Sequence, residues 1–240
     1  MVTERFRQVI ARKNAGGGGG ISSPNDIAGL AAWWSGDTVS GSDGDPISSW
    51  TDGSGNSRTL SSSGGARPTL QVAEVNGHKV LNFDGVGQTM LTDPDDLSST
   101  WGITNAFTAF YAIRTNSGVS TLRPLYYWST SGTNEFGCWY QYSDNNAYVD
   151  CGNTASGGRA SGAVAGNTAW KVVVIVRSGA NLDVYEDGVS VLSSSSLSDS
   201  LDSGTSQLAI ASIATNFHAC DIEECGFYNV GLSSGDRALL

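Results

Sequence analysis

Four residues with the chemistry of a sugar site lie close together in the chain: Trp139, Gln141, Tyr148 and Asp150. They belong to two runs, 135–141 and 148–152, on either side of Ser143-Asp-Asn-Asn146. If 143–146 is a four-residue hairpin loop, Tyr142 faces Ala147, Tyr140 faces Val149 and Cys138 faces Cys151. One face of that hairpin is apolar, with Phe136, Cys138, Tyr140, Tyr142, Ala147, Val149 and Cys151, and belongs against a core. The other face sets Trp139 opposite Asp150 and Gln141 opposite Tyr148. Flat rings suit the apolar face of a pyranose, and a carboxylate and an amide suit its hydroxyls. The competing expectation is that a loop or a neighbouring subunit covers Trp139 and Tyr148.

The cysteines do little chemistry on this reading. The expected register permits a Cys138–Cys151 disulfide, but in a reducing compartment both serve as small core residues. Cys220 and Cys225, five apart on one strand, point to opposite faces unless a bulge intervenes. There is no C-x-x-C, and His78 and His218 are the only histidines, which argues against a structural zinc site. No Gly-x-Ser-x-Gly elbow appears. Gly16–Gly20 lacks the Lys-Ser/Thr of a phosphate loop.

The elements that must position such residues are strands. The chain has 240 residues, 31 of them Gly, and only 15% are charged. That length suits one large sandwich, and that composition suits turns rather than surface helices. Leu30–Trp34, Ile47–Trp50, His78–Phe83, Ala106–Arg114, Leu125–Trp128, 170–176, Gln207–Ala211 and Cys220–Tyr228 all read as strands. The run 170–176 is dense in β-branched residues and reads as buried on both faces. Asp187-Gly188 between apolar alternations predicts a type I′ hairpin pairing Val184 with Val191. The fold class that follows is all-β, a two-sheet antiparallel sandwich.

The first twenty residues differ. Arg5, Arg7, Arg12, Lys13 and Glu4 give residues 1–20 a charge of +3, so the remainder carries −13 of the chain's −10. Phe6, Val9 and Ile10 form an apolar stripe at helical spacing, and Gly16–Gly20 makes a flexible tether. The expectation is a helical or extended docking arm (1–20), ordered through Arg5, Phe6, Val9, Ile10 and Arg12 on a partner, ahead of a body at 21–240. The segment Val9-Ile10-Ala11 is too short for a secretory h-region. An acidic body is ill suited to nucleic acid, and no apolar run is long enough for a membrane helix.

Residues 24–240 resemble the concanavalin A-like, laminin-G-like jelly-roll domains of bacteriophage and bacterial surface proteins. The matching segments are Pro24-x-Asp-Ile-x-Gly-Leu-x-x-Trp33, Ile47-x-x-Trp50-x-Asp52-x-Ser54-Gly55-Asn56, Ala66-Arg67-Pro68-Thr69, Asn76-Gly77-x-x-Val80-x-x-Phe83-Asp84-Gly85, and Cys220–Asn229 with Leu232-Ser233. The resemblance implies a jelly-roll sandwich with glycans bound on a sheet face or the loops beside it. It also implies Ca²⁺ held by turn oxygens, with Asp52, Asn56 and Asp84 the candidates and Asp144, Asn145 and Asn146 a second set. All of these are also plain turn chemistry. The nearest approach to the paired-carboxylate strand of the superfamily's retaining glucanases is Asp221-Ile-Glu-Glu224. Its order and spacing do not match, so Glu223 or Glu224 is expected to be structural and the protein non-enzymatic.

The functional expectation combines arm and body. It is a virion structural protein (a capsid decoration, head-fibre or tail-fibre module) folded in a host cytoplasm. The arm docks on capsid or tail proteins, the protein forms a homo-oligomer within the assembly, and the body touches host-surface glycans. The alternatives are a secreted or cell-surface carbohydrate-binding module, and a glycan hydrolase or lyase.

Overall fold

The computed structural model describes residues 23–116, 123–131 and 134–240. The arm residues Arg5, Phe6, Val9, Ile10 and Arg12 lie outside them.

The central element is β18 (Ala219–Tyr228), ten residues that are all buried. Along one edge it pairs with β7 (Ala106–Thr115). Along the other it pairs first with β5 (His78–Asp84) through residues 219–222, then with β1 (Leu30–Ser35) through residues 224–228. β4 (Thr69–Val75) extends the sheet beyond β5. β12 (Lys171–Ser178), β13 (Asn181–Glu186) and β14 (Val189–Ser194) extend it beyond β7. The second sheet runs β11 (Arg159–Ala163), β10 (Asn146–Asn153), β9 (Asn134–Trp139), β8 (Pro124–Ser131), β15 (Ala209–Ile210), β6 (Met90–Leu91), β3 (Leu60–Ser61) and β2 (Ser49–Trp50). A small β16–β17 ribbon (Ser212–Ile213, Asn216–Phe217) follows β15. All pairings are antiparallel, and the two sheets face each other as a concanavalin A-like jelly-roll sandwich.

The inward faces of the two sheets build the interior. From the second sheet come Ala160, Val149, Cys138, Tyr126, Ile210, Met90, Leu60 and Trp50. From the first come Phe83, Tyr111, Ile113, Val173, Ile175, Cys220, Ile222, Cys225 and Phe227. Phe227 lies at the aromatic centre, with rings of Trp34, Trp101, Tyr111, Tyr126 and Phe136 at 5.2–6.3 Å. A smaller apolar layer covers the far face of the first sheet, where Phe110, Val174, Val176 and Tyr228 meet Ile27, Leu232 and Leu240.

A β-bulge interrupts β18. Ile222 lies opposite Ile113 and Glu224 opposite Ala112, so Glu223 is the extra residue. The bulge resets the alternation. Cys220 and Ile222 before it and Cys225 and Phe227 after it all face the core. The opposite-face placement expected for Cys220 and Cys225 therefore fails by the one exception it allowed. All four cysteines are free and buried.

Two register expectations also change. Asp187 and Gly188 have φ of 51° and 83°, as a type I′ turn requires. However, a bulge at Val191 pairs Val184 with Leu192 instead of Val191. In the β9–β10 hairpin, Trp139 lies opposite Tyr148, Cys138 opposite Val149 and Cys151 opposite Phe136. The pairing is displaced by two residues from the expected register. Gln141 adopts a left-handed φ of 55° and ends the ladder early. A slip of two keeps paired residues on their faces, so Phe136, Cys138, Tyr140, Ala147, Val149 and Cys151 line the core as expected. Tyr142, beyond the turned Gln141, leaves that face to meet the Tyr148 ring at 5.3 Å, and Cys138 and Cys151 no longer oppose each other.

The bulge yields a sharp test. Deleting Glu223 should swing Cys225 and Phe227 out of the core, a loss of about 3–5 kcal/mol for the phenylalanine alone. Circular dichroism melts should show no cooperative transition for the deletion, whereas Glu223→Ala, which keeps the residue count, should still melt cooperatively.

Candidate functional site

Residues paired across the second sheet share a face, and its outer face carries an organised cluster. One row crosses it as Arg159, Asp150, Gly137 and Tyr127, then continues through Ala209, Leu91 and Ser61. The adjoining row holds Ser161, Tyr148 and Trp139. Aromatic and charged residues are thus concentrated over β8–β11, and small or apolar residues continue toward β3.

Asp150 is fully buried and accepts both arms of the Arg159 guanidinium, Nε to Oδ1 and Nη2 to Oδ2, each at 2.6 Å. Such a bidentate pair fixes both planes. The guanidinium lies 5.5 Å from the Trp139 ring and 5.6 Å from the Tyr148 ring, in cation–π contact with both. Tyr127 and Trp139 meet edge to face at 6.0 Å. Gly137 lies between them, and a Cβ there would come within 3.1 Å of Tyr127 and 3.3 Å of Trp139. A side chain at this position would have to displace the rings by a few tenths of an ångström. Tyr127 donates its hydroxyl to Glu135 Oε1 at 3.2 Å. The Tyr148 hydroxyl donates to Asp144 Oδ2 at 2.6 Å, which anchors the hairpin tip.

Burial raises the Glu135 carboxyl above its ordinary value of 4.5, and its hydrogen bond to Asp150 and the charge of Asp150 raise it further. Burial likewise raises the Tyr127 phenol, with Glu135 adding to it. Glu135 thus senses Asp150 as a neighbouring carboxyl group, and Arg159 clamps Asp150.

Of the four expected ligand-face residues, Trp139, Tyr148 and Asp150 are brought together. Trp139 is only 8% exposed, because Arg159, Tyr127 and Tyr148 surround it. Gln141 does not join them. It is buried, and its Nε2 donates to the carbonyls of Ala165 and Asn167 at 2.9 and 3.1 Å, tying the hairpin end to the 165–167 loop. Arg159, Tyr127, Glu135 and Gly137 were not singled out from the sequence. Arg159 sits in a Gly/Ser-rich stretch with no strand signal, and only the β10–β11 pairing carries it to Asp150.

The turn oxygens proposed for Ca²⁺ do not form one donor set. The Asp52 carboxylate accepts from the backbone N–H groups of Trp33, Ser54 and Arg58 and from the Ser54 hydroxyl. Asn56 donates its amide to the carbonyls of Leu30 and Ala31. Both organise the loop against β1. Asp84 lies beside Ala219 at the other end of β18, and its Oδ1 caps the amides of Val86, Gly87 and Gln88. Asp144 is spent on Asn146 and Tyr148. In the closing strand, Asp221 is paired with Arg114, and Glu224 accepts the Trp33 indole N–H at 2.5 Å. Among the described residues, one group does gather metal-type donors: Asp37, His78 and Glu223. A cleft of about 430 Å³ opens next along the chain, lined by Thr38, Val39, Ser40, Asp45, Pro46 and Ile47. It has neither ring platforms nor an ion pair.

No protein-family model and no curated protein sequence matches the chain. Solved structures of the same fold do. Domain 4 of AbnA, a GH43 extracellular arabinanase from Geobacillus stearothermophilus in complex with arabinotriose, superposes with a TM-score of 0.64 at 14% identity, over 88% of this chain and 96% of that domain. The Trypanosoma rangeli sialidase in complex with sialic acid gives 0.64 at 17% identity, over 99% of this chain. The chain spans only 36% of that sialidase's length. A structure of botulinum neurotoxin type C, whose cell entry depends on interaction with two ganglioside molecules, gives 0.63 at 13% identity, over 90% of this chain and 50% of that one. At these identities the likeness is one of fold.

The carboxyl pair makes a signed prediction. A carboxyl raised in the folded state contributes stability that is present below its ordinary value of 4.5 and lost as pH rises through the raised value. Urea midpoints measured from pH 4 to 8 should therefore fall with rising pH through this group. Glu135→Gln should flatten that fall, and an unchanged slope would place the proton elsewhere.

Proposed function

We propose that the body is a glycan-binding β-sandwich module and that its ligand face is the outer surface of the second sheet around Tyr127, Trp139, Tyr148, Glu135, Asp150 and Arg159. One observation carries the reading: aromatic rings, a carboxylate and a guanidinium are locked in mutual contact on an outer sheet face. Such a surface offers ring edges to a sugar's C–H face and fixed donors and acceptors to its hydroxyls. Structures of the same fold include ones holding arabinotriose and sialic acid, which supports the reading without setting the sugar. The charge of −13 outside residues 1–20 disfavours anionic ligands, so an uncharged oligosaccharide is the proposed class.

Binding, rather than hydrolysis, is proposed because Asp150 is fully buried with both carboxylate oxygens held by Arg159, so it is not free to attack a sugar or to exchange a proton with one. We further propose, from sequence alone, that residues 1–20 tether the module to a larger assembly, a virus particle or a cell surface. The contrast of a +3 arm with an acidic body, joined through five glycines, supports this.

Two measurements check these readings. On a glycan array carrying neutral and sialylated arms, the full chain should bind neutral oligosaccharides, and Tyr127→Ala should weaken binding about tenfold, the loss of about 1.4 kcal/mol. Undiminished binding by the variant would move the site elsewhere, and release of reducing ends from the bound glycan would favour the hydrolase reading. Deletion of residues 1–20 should leave glycan binding intact and abolish co-sedimentation with purified particles or envelopes; co-sedimentation by the truncated chain would overturn the tether.

A further inference from the structure

Asp37, His78 and Glu223 come from three elements far apart in the chain. Asp37 lies in the 3-10 turn Gly36–Thr38 after β1, His78 opens β5, and Glu223 is the bulge residue of β18. One donor atom from each lies within 4.8 Å of the other two. His78 Nδ1 is 2.8 Å from Asp37 Oδ2.

Backbone packing fixes the arrangement. A Cβ at Gly36 would fall within about 2.2 Å of the Lys79 carbonyl, so only glycine lets this turn lie against β5. Asp37 Oδ1 accepts from the Lys79 N–H at 3.0 Å, which orients the carboxylate so that Oδ2 faces His78. The neighbouring cation is kept away, because Lys79 Nζ donates to the Val39 carbonyl at 2.8 Å. Ile222 and Cys225 both face the core, which puts Glu223 and Glu224 together on the outer side of the sheet. Glu224 turns to the Trp33 indole, whereas Glu223, only 1% exposed, reaches the Asp37–His78 pair. The histidine and the aspartate are reached from solvent, with side-chain exposures of 22% and 36%.

We propose that Asp37, His78 and Glu223 form a binding site for a divalent cation of the zinc type. Two carboxylates and an imidazole are an oxygen–nitrogen donor set that suits Zn²⁺ and its first-row neighbours better than Ca²⁺. Such an ion binds at about 2.1 Å, which holds its donors within about 4.2 Å of one another, so a small rotation of exposed side chains closes the set. The solvent side leaves room for water ligands. The Asp37 contact to the Lys79 amide is the outer-shell bond that orients a metal ligand. The missing C-x-x-C pointed away from zinc, but the fold assembles a site that needs no thiolate. The site is independent of the glycan face, which lies on the other sheet.

The chain's two histidines make the test clean. His218 is fully buried, and burial holds it neutral with a value lowered to about 3, so an ion arriving from solvent meets only His78. The EDTA-stripped full chain should bind one equivalent of Zn²⁺ by calorimetry at pH 7.5, and Co²⁺ should bind with a visible absorption band. His78→Gln and Asp37→Asn, both at accessible positions, should weaken Zn²⁺ by more than about tenfold, a loss that even outer-shell changes produce, and should remove the Co²⁺ band. Glu223→Gln, which keeps the residue count and the bulge, should do the same. No stoichiometric binding, or equal Zn²⁺ binding and an unchanged Co²⁺ band in His78→Gln, would overturn the site.

Discussion

The structure depends on one strand with one extra residue. β18 is buried along its whole length and is hydrogen-bonded on both edges. A strand of strict period two could not keep Cys220, Ile222, Cys225 and Phe227 on one face. The bulge at Glu223 resolves the conflict at the point where β5 gives way to β1 on the same edge. It lets the two halves of β18 serve one core. The residue left over is a buried glutamate, and the same irregularity that keeps Phe227 inside turns Glu223 toward Asp37 and His78.

The buried charges elsewhere follow a single logic. Asp221 and Asp150 are both fully buried, and each is held by an arginine with two short hydrogen bonds. Each arginine stacks near an aromatic ring, Arg114 near Trp170 and Arg159 near Trp139. Lys171 and Glu186 pair at 2.6 Å in a third such site, and Tyr140 donates to the same carboxylate. Buried ion pairs contribute little net stability but penalise their own disruption. They act as geometric pins, and on the outer face of the second sheet the pinning guanidinium of Arg159 is exposed beside the aromatic rings.

Much of the fold was legible from residue patterns. Phe107 to Ile113, the β-branched run of β12 and the Asp187-Gly188 turn announce strands and a hairpin through local chemistry alone. The face assignments of β9 and β10 were also legible, because a slip of two residues does not alter them. The register was not. It depends on Gln141 taking a left-handed conformation and spending its amide on the 165–167 loop, a contact that no local pattern encodes. The bulge at Val191 was hidden for the same reason.

The sequence by itself determined the class of the fold, the strands that carry its core, the charge contrast between residues 1–20 and the rest, and three of the residues now on the candidate ligand face. Those features are local in period and composition. Tertiary structure alone decided which side chains meet. Arg159 reaches Asp150, Tyr127 reaches Glu135, and Asp37, His78 and Glu223 converge from positions 37 to 223. Such contacts join strands distant in the chain, and their partners are set by sheet order and bulge position. These are properties of the whole set of pairings rather than of any one segment.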